Sequence, residues 1–304
     1  MAVTELERTI GQAPAATGTA RRRPRGKVRV WDHVVLLFGV VLMMGPIFVA
    51  FTTSSFDHVT IHREGMQFGW GGNFLETYKT VIYQEGGFTG EVTGLLMTQN
   101  SLILGIGFAV GKIVVSMLAA YAIVYFRFPL ATVSFWIIFT TLLLPLEVRI
   151  LPSYEVVQQL GMLNSYSGLI IPLIASATGT FFFRQFFKSI PNEMMEAARI
   201  DGAGPWRFFV DILVPLSKTM MAAIFIIMFV VGWNQYLWPM LMTTEEGYFT
   251  LVRGIRSIMQ QMIGADIPMY NEALAMAMLA MLPPALVIII FQRMFIKGLV
   301  EQEK

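Results

Sequence analysis

Pro191-Asn-Glu-Met-Met-Glu196-Ala197-Ala198-Arg-Ile-Asp201-Gly202-Ala203-Gly-Pro205, continuing to Ile212-Leu213-Val214-Pro215, is the stretch from which the rest of this 304-residue chain can be read. Pro191 suits a first helical turn, where its missing N–H leaves nothing unpaired. Glu193 and Glu196 follow early, where the helix dipole favours anions. Gly202 can supply a turn, because it takes positive φ readily. Pro205 can open a second helix, and Pro215 stands before an apolar block. The pattern predicts a short helix, a break and a second short helix. A plain connector would look similar, but roughly 30 residues is long for a helical bundle, where about 2–8 is usual. Ala197 and Ala198 would leave a thin helix face able to lie in a partner's groove, with Glu196 and Asp201 offering charges to it.

Outward from this loop the chain is apolar. It is 55% hydrophobic and 14% charged, against about 25% charged in soluble domains. A membrane span needs about 20 apolar residues. Six segments meet that length: 32–53, 101–125, 130–150, 167–187, 216–241 and 273–295. The expectation is an all-α integral membrane protein with six transmembrane helices. The first segment lacks a small-residue cleavage site and reads as a retained span, not a signal peptide. Residues 1–30 form a polar, basic tail expected to be disordered, and 31–304 form the transmembrane domain.

Arginine and lysine set the expected orientation. Arg21, Arg22, Arg23, Arg25, Lys27 and Arg29 precede the first span and place the N-terminus in the cytoplasm. Arg293 and Lys297 lie beside a cytoplasmic C-terminus, and Lys188, Arg199, Arg207 and Lys218 put the quoted loop on the same side. Loop 54–100, with Asp57, Glu64, Glu76, Glu85 and Glu91, falls outside; so does 242–271, with Arg253 and Arg256 against Glu245, Glu246 and Asp266. Loop 54–100 is rich in glycine and aromatics, including Trp70 and Tyr78, and its pattern assigns no further structure.

Several chemistries are excluded or unsupported. There is no cysteine, which removes disulfides and thiolate sites. His33, His58 and His62 lack a zinc-like spacing, so no metal and no cofactor are expected. Gly107-Phe-Ala-Val-Gly111-Lys112-Ile113 imitates a phosphate-binding loop but has three residues between the glycines and isoleucine after the lysine. Its glycines read as helix-packing positions, and any ATP site must lie in a partner. No acid–base pair or ligand set is clustered, so no catalytic residue is assigned and an intramembrane enzyme is unsupported. Charged and amide groups at membrane depth are the functional candidates. They are Lys112, Glu147, Arg149, Arg184, Asn234 and Gln235, of which Lys112, Asn234 and Gln235 are the candidate pathway residues. Each also has a structural reading. Arg184 can snorkel, Glu147 and Arg149 can pair, the two amides can bond across helices, and Trp233 and Trp238 can anchor an interface.

The quoted loop resembles the EAA loop of permeases in binding-protein-dependent ABC importers of the maltose-permease-like family. The match lies in Glu196-Ala197-Ala198, Gly202 and Ile212-Leu213-Val214-Pro215 at the family spacing, with Val214 in place of leucine. Further stretches resemble second permease subunits of sn-glycerol-3-phosphate importers. These are Gly111-Lys112-Ile-Val-Val-Ser-Met-Leu, Phe126-Arg127-Phe128-Pro129-Leu130, Leu144-Pro145-Leu146-Glu147-Val148-Arg149-Ile150, Gly232-Trp233-Asn234-Gln235-Tyr236-Leu237-Trp238-Pro239 and the tail Gly298-Leu299-Val300-Glu301. The resemblance runs from about residue 30 to the end. It implies the type I importer permease fold, with Glu196, Ala197, Ala198, Asp201, Gly202, Ala203, Ile212 and Pro215 forming the loop that docks into a cytoplasmic ATPase. It implies as partners a homologous second permease, a homodimeric ATPase and a solute-binding protein, in the bacterial inner membrane. The solute it implies is sn-glycerol 3-phosphate or a glycerophosphodiester, with a neutral sugar or oligosaccharide as the alternative. An ion-coupled secondary transporter is the more distant alternative; it predicts inverted repeats, and none is visible.

Overall fold

The computed structural model describes residues 30–84, 92–126, 128–263 and 267–300. The basic tail up to residue 29, with Glu85, Glu91 and Asp266 of the orientation argument, lies outside the described residues, as do the side chains of Glu147 and Lys297. Among the described residues every regular element is helical. The chain divides at Pro46 into two compact units, Met1–Pro46 and Ile47–Lys304. Helix α1 (Val30–Thr53) is apolar and carries Pro46 within it.

The loop from 54 to 93, left unassigned by pattern, contains two helices, α2 (His58–Glu64) and α3 (Phe74–Tyr83). Asp57 caps α2 by accepting a hydrogen bond from the Thr60 N–H at 2.9 Å. Phe51, Trp70, Phe74 and Tyr78 stack in sequence, with centroid spacings of 5.6, 5.0 and 4.4 Å. The aromatics that gave no periodic signal therefore form a local ladder against the end of α1.

Helix α4 (Gly94–Tyr125) is the axis of the core. Its small residues let neighbours approach closely, which drives packing where lipid removes the hydrophobic advantage. A Cβ at Gly107 would lie 2.6 Å from Ile170 Cδ1, and one at Gly111 2.5 Å from Ile174 Cγ2. The two glycines of the false phosphate loop are packing positions. Gly105 meets Phe229, and Gly232 meets Phe108, each at 3.0 Å from the missing Cβ.

The expected span 130–150 is not one helix. Helix α5 (Ala131–Thr140) passes into a tight turn at Thr141–Leu143, and α6 (Leu146–Gln159) starts afresh. Leu144 is extended (φ −90°, ψ 110°), the conformation that the ring of Pro145 favours by crowding the helical one in the residue before it. The expected span 167–187 is likewise broken. Helix α7 (Tyr166–Ile170), its continuation Ile171–Leu173 and helix α8 (Ala177–Ser189) bend by 50°.

The quoted loop holds α9 (Asn192–Ile200) and α10 (Pro205–Phe208) with its continuation to Leu216, and α11 (Lys218–Trp233) follows it. Then follow α12 (Leu237–Met242), α13 (Leu251–Gln261) and α14 (Tyr270–Val300). Val30–Thr53, Gly94–Tyr125 and Tyr270–Met294 are continuous helices long and apolar enough to cross a membrane, and two bent pairs meet the same test. Trp233 and Trp238 correct their expected role as interface anchors. Both are fully buried, and their indole N–H groups donate to Ala280 O at 3.0 Å and Leu169 O at 3.1 Å.

Candidate functional site

Helix α9 begins at Asn192, with Pro191 just outside it at ψ 138°. It ends in a Schellman arrangement. The Ala203 N–H donates to Ala198 O at 2.9 Å and the Gly202 N–H to Arg199 O at 3.1 Å. Gly202 has φ +77°, the left-handed region, and a Cβ there would meet nothing within 4 Å. Glycine is therefore required by backbone conformation, not by crowding within this chain. Gly204 stands before α10, and Pro205 occupies its first turn.

The two alanines behave differently. Ala197 is exposed, as expected for a docking face. Ala198 is buried at 5% exposure and packs into the chain's own core. Its smallness serves the approach of α9 to the body, which corrects the reading of both alanines as partner-facing. Glu196, Asp201 and Gly202 are exposed. So are Ile200 (85%) and Trp206 (68%), two large apolar side chains that pattern reasoning passed over. The signal was partly present: Ile200 stands between Arg199 and Asp201, and Trp206 beside Arg207.

The loop is held to the core at one point of particular note. The Tyr121 hydroxyl, near the end of α4, donates to Pro205 O at 2.8 Å. Its ring lies 5.0 Å from that of Phe209 and 5.3 Å from that of Phe126. A crevice of about 670 Å³ opens between α9 and the ends of α4 and α8, with Tyr121, Tyr125, Lys188, Arg199 and Phe208 in its walls. Arg207 and Asp211 form an exposed ion pair at 3.3 Å, of the kind that contributes little.

From α10 the chain runs through one wide π turn, Phe209–Leu213, into Val214–Leu216. Pro215 has no N–H for the carbonyl four residues earlier, and the wider winding absorbs that loss. Buried Ser217 then donates both its N–H (3.0 Å) and its hydroxyl (2.6 Å) to Leu213 O. There the chain bends by 72° into α11. Ile212 is half-buried and Pro215 exposed.

The candidate pathway residues do not converge. Lys112 lies in α4, half-buried, with its ammonium 4.4 Å from the centroid of the Phe108 ring. It lines a crevice of about 370 Å³ that also includes Arg149 and Ser176. Asn234 and Gln235 are not among the residues lining it. Their amides turn back on their own helix, donating to Val230 O at 2.8 Å and Val231 O at 3.3 Å, not across helices. Arg184 stacks on Phe135 at 3.9 Å.

Residues 112–301 match the family described as "Binding-protein-dependent transport system inner membrane component". The chain is similar to the "sn-glycerol-3-phosphate transport system permease protein UgpE" of Pectobacterium atrosepticum, 46% identical over 275 residues, with 90% of this chain and 97% of the relative covered. The protein of that name from Yersinia enterocolitica is 47% identical over the same length and coverage. The one from Salmonella typhi is 46% identical over 280 residues, covering 92% and 99%. Among solved structures, a chain of a bacterial ABC transporter involved in the import of the acidic polysaccharide alginate superposes with a TM-score of 0.73. The two share 20% identity, and 87% of this chain and 95% of that one are covered; the fold is shared.

Proposed function

The chain belongs to the binding-protein-dependent transport system inner membrane components, and we propose that it is the permease subunit through which an ABC importer takes up sn-glycerol 3-phosphate. The identity of about 46% to permeases bearing that name, across 90% of the chain, carries the substrate assignment. As a multi-pass inner-membrane protein it pairs with a second, homologous permease. A homodimeric ATPase lies on the cytoplasmic side and supplies the hydrolysis, and a soluble binding protein delivers the solute from outside. Six spans in all, three of them continuous helices and two of them bent pairs among the described residues, would run from a cytoplasmic N-terminus to a cytoplasmic C-terminus, with the 188–215 loop at the ATPase.

The arrangement of that loop supports its role as the coupling element. Helix α9 presents Glu196, Ala197 and Ile200 outward, as does Gly202 in the turn after it, while Ala198, Ala203 and Phe208 hold the segment to the body. Through Pro205–Leu216 the same segment continues into α11 by way of the bend at Ser217. A push on α9 is thereby transmitted to a membrane helix, as rigid-body rocking between two packed states requires.

Reconstitution of the four components in proteoliposomes tests the reading. ATP-dependent uptake of labelled sn-glycerol 3-phosphate is expected, with competition by glycerophosphodiesters and none by maltose. Uptake of the neutral sugar alone would reverse the substrate assignment. Because the chain has no cysteine, Trp70→Cys, Ile200→Cys and Val300→Cys report topology directly. Only the first is expected to react with an impermeant reagent from outside.

A further inference from the structure

Two interruptions within apolar segments open onto one crevice. The first is the Leu144–Pro145 break between α5 and α6; the second is the extended residue Ser176 (φ −141°, ψ 108°) before α8. Thr141, Leu144, Ala175, Ser176, Ala177 and Thr178 all line it, as do Lys112 and Arg149. Irregular backbone in a membrane is tolerated only inside protein or along a water-filled cavity. In transporters such breaks mark the binding region, with the starting ends of half-helices turned to anions.

The two cations are the unusual feature. Among the described residues no carboxylate lines this crevice, and Lys112 rests on an aromatic ring instead of an anion. Lysine within an apolar helix is unfavourable, and two like charges at one cavity add repulsion. An oxyanion between them would relieve both. Thr178, half-buried in the first turn of α8, brings a hydroxyl, and the helix start adds its positive end. The volume of about 370 Å³ falls within the usual range for small-molecule sites, about 300–1,000 Å³.

We propose that this crevice is an oxyanion subsite of the pathway, in which Lys112 and Arg149 take the phosphate of the solute between them. The assignment rests on the reading above that the solute carries phosphate. Asn234 and Gln235 do not line it. Lys112 is the half-buried, positioning charge. Arg149, exposed on α6, is the planar donor that can grip two phosphate oxygens at once.

The test uses the complete importer in phosphatidylcholine nanodiscs, with the Lys112 amine followed by reaction with trinitrobenzene sulfonate and peptide mass spectrometry. Inorganic phosphate and sn-glycerol 3-phosphate should slow labelling of Lys112, glycerol should not, and Arg149→Met should abolish the protection. In proteoliposomes Lys112→Met should raise the KM for uptake about ten-fold, the effect of one charge-assisted contact. ATPase association and binding-protein-stimulated hydrolysis should persist, and Lys112→Arg should recover most of the affinity. Absence of protection by phosphate overturns the subsite, as does an amine that stays unreactive throughout, because a solute subsite must open to water. Protection that needs phosphatidylglycerol and no solute also overturns it, in favour of a lipid headgroup. If the wild-type importer takes up no sn-glycerol 3-phosphate while inorganic phosphate still protects Lys112, the substrate assignment falls and the oxyanion subsite stands.

Discussion

Pro145 and Pro215 each interrupt an apolar run, and the chain answers them differently. At Pro145 the helix stops. Leu144 is extended, and α6 starts afresh after Pro145. At Pro215 the chain stays helical by widening into a π turn, and the bend is deferred to Ser217, whose hydroxyl supports the Leu213 carbonyl. The first device exposes backbone to a crevice, as a lining does. The second keeps the chain helical from Pro205 to the bend at Ser217 and so carries the proposed coupling loop up to α11, as a lever does. Damage to the lever should uncouple the ATPase and leave solute affinity unchanged; damage to the lining should do the reverse.

The largest effect is expected at Gly202. Its φ of +77° is nearly closed to β-branched residues, and the left-handed conformation costs about 1–2 kcal/mol for a residue bearing Cβ. Gly202→Val should undo the Schellman end of α9 and abolish uptake, with the ATPase no longer co-purifying. Because a Cβ there meets nothing in this chain, Gly202→Asn, which tolerates positive φ, should keep much of the activity. Equal loss in both variants would mean that space at the docking face, not backbone, sets the requirement.

A smaller effect is expected at Glu196. It is exposed, so its partner must come from outside this chain. Glu196→Lys should weaken ATPase co-purification strongly, since a like-charge clash at a buried contact costs several kcal/mol. Glu196→Gln should lower stimulated hydrolysis only in part. The KM for solute should be unchanged in whatever uptake remains. A shifted KM would break the division between lever and lining.

The lever was legible in the sequence because its punctuation is local. Gly202 and Pro205 sit among polar residues, and each carries its own geometric consequence. What stayed hidden there depends on three dimensions: Ala197 and Ala198 look identical in the chain, yet one faces solvent and the other the core. The lining was harder to read. From 130 to 150 the composition is mostly apolar, and a hydropathy window averages over Pro145. The proline was visible, but whether it kinks or stops a helix depends on what packs around it. Lys112 was singled out for its charge, but its meeting with Arg149 was not, since the two are brought together only by the broken connection between α5 and α6. For Asn234 and Gln235 the expected bonds across helices were not legible as local ones, since an amide side chain does not announce which carbonyl it will reach.

Tyr121 tests the joint between loop and core. Its hydroxyl bond to Pro205 O is the kind of neutral contact that contributes about 0.5–1.5 kcal/mol. The ring contacts with Phe209 and Phe126 remain in phenylalanine. Tyr121→Phe should therefore lower uptake about five-fold, on the scale of one such bond. ATPase association should stay normal and stimulated hydrolysis should fall in step with uptake. A five-fold loss of association instead would mean that the bond shapes the docking face and does not transmit its motion.

The smallest effect is expected at Pro145, and it bears most directly on the comparison. Alanine there restores an N–H and frees Leu144 to become helical, but it does not supply the contacts that a straight helix through 141–150 would need. Arg149 already lines the crevice with Ala175 and Ser176, and α8 starts where it does because Ser176 caps it by accepting from the Gly179 N–H at 3.2 Å. The break should therefore persist in Pro145→Ala with a looser Leu144. The lining loosens, the KM for solute rises about three-fold, equivalent to roughly 0.7 kcal/mol, and ATPase coupling is untouched. If Pro145→Ala instead uncouples hydrolysis from uptake while KM stays put, the depth segment belongs to the lever as well, and the two prolines serve one device.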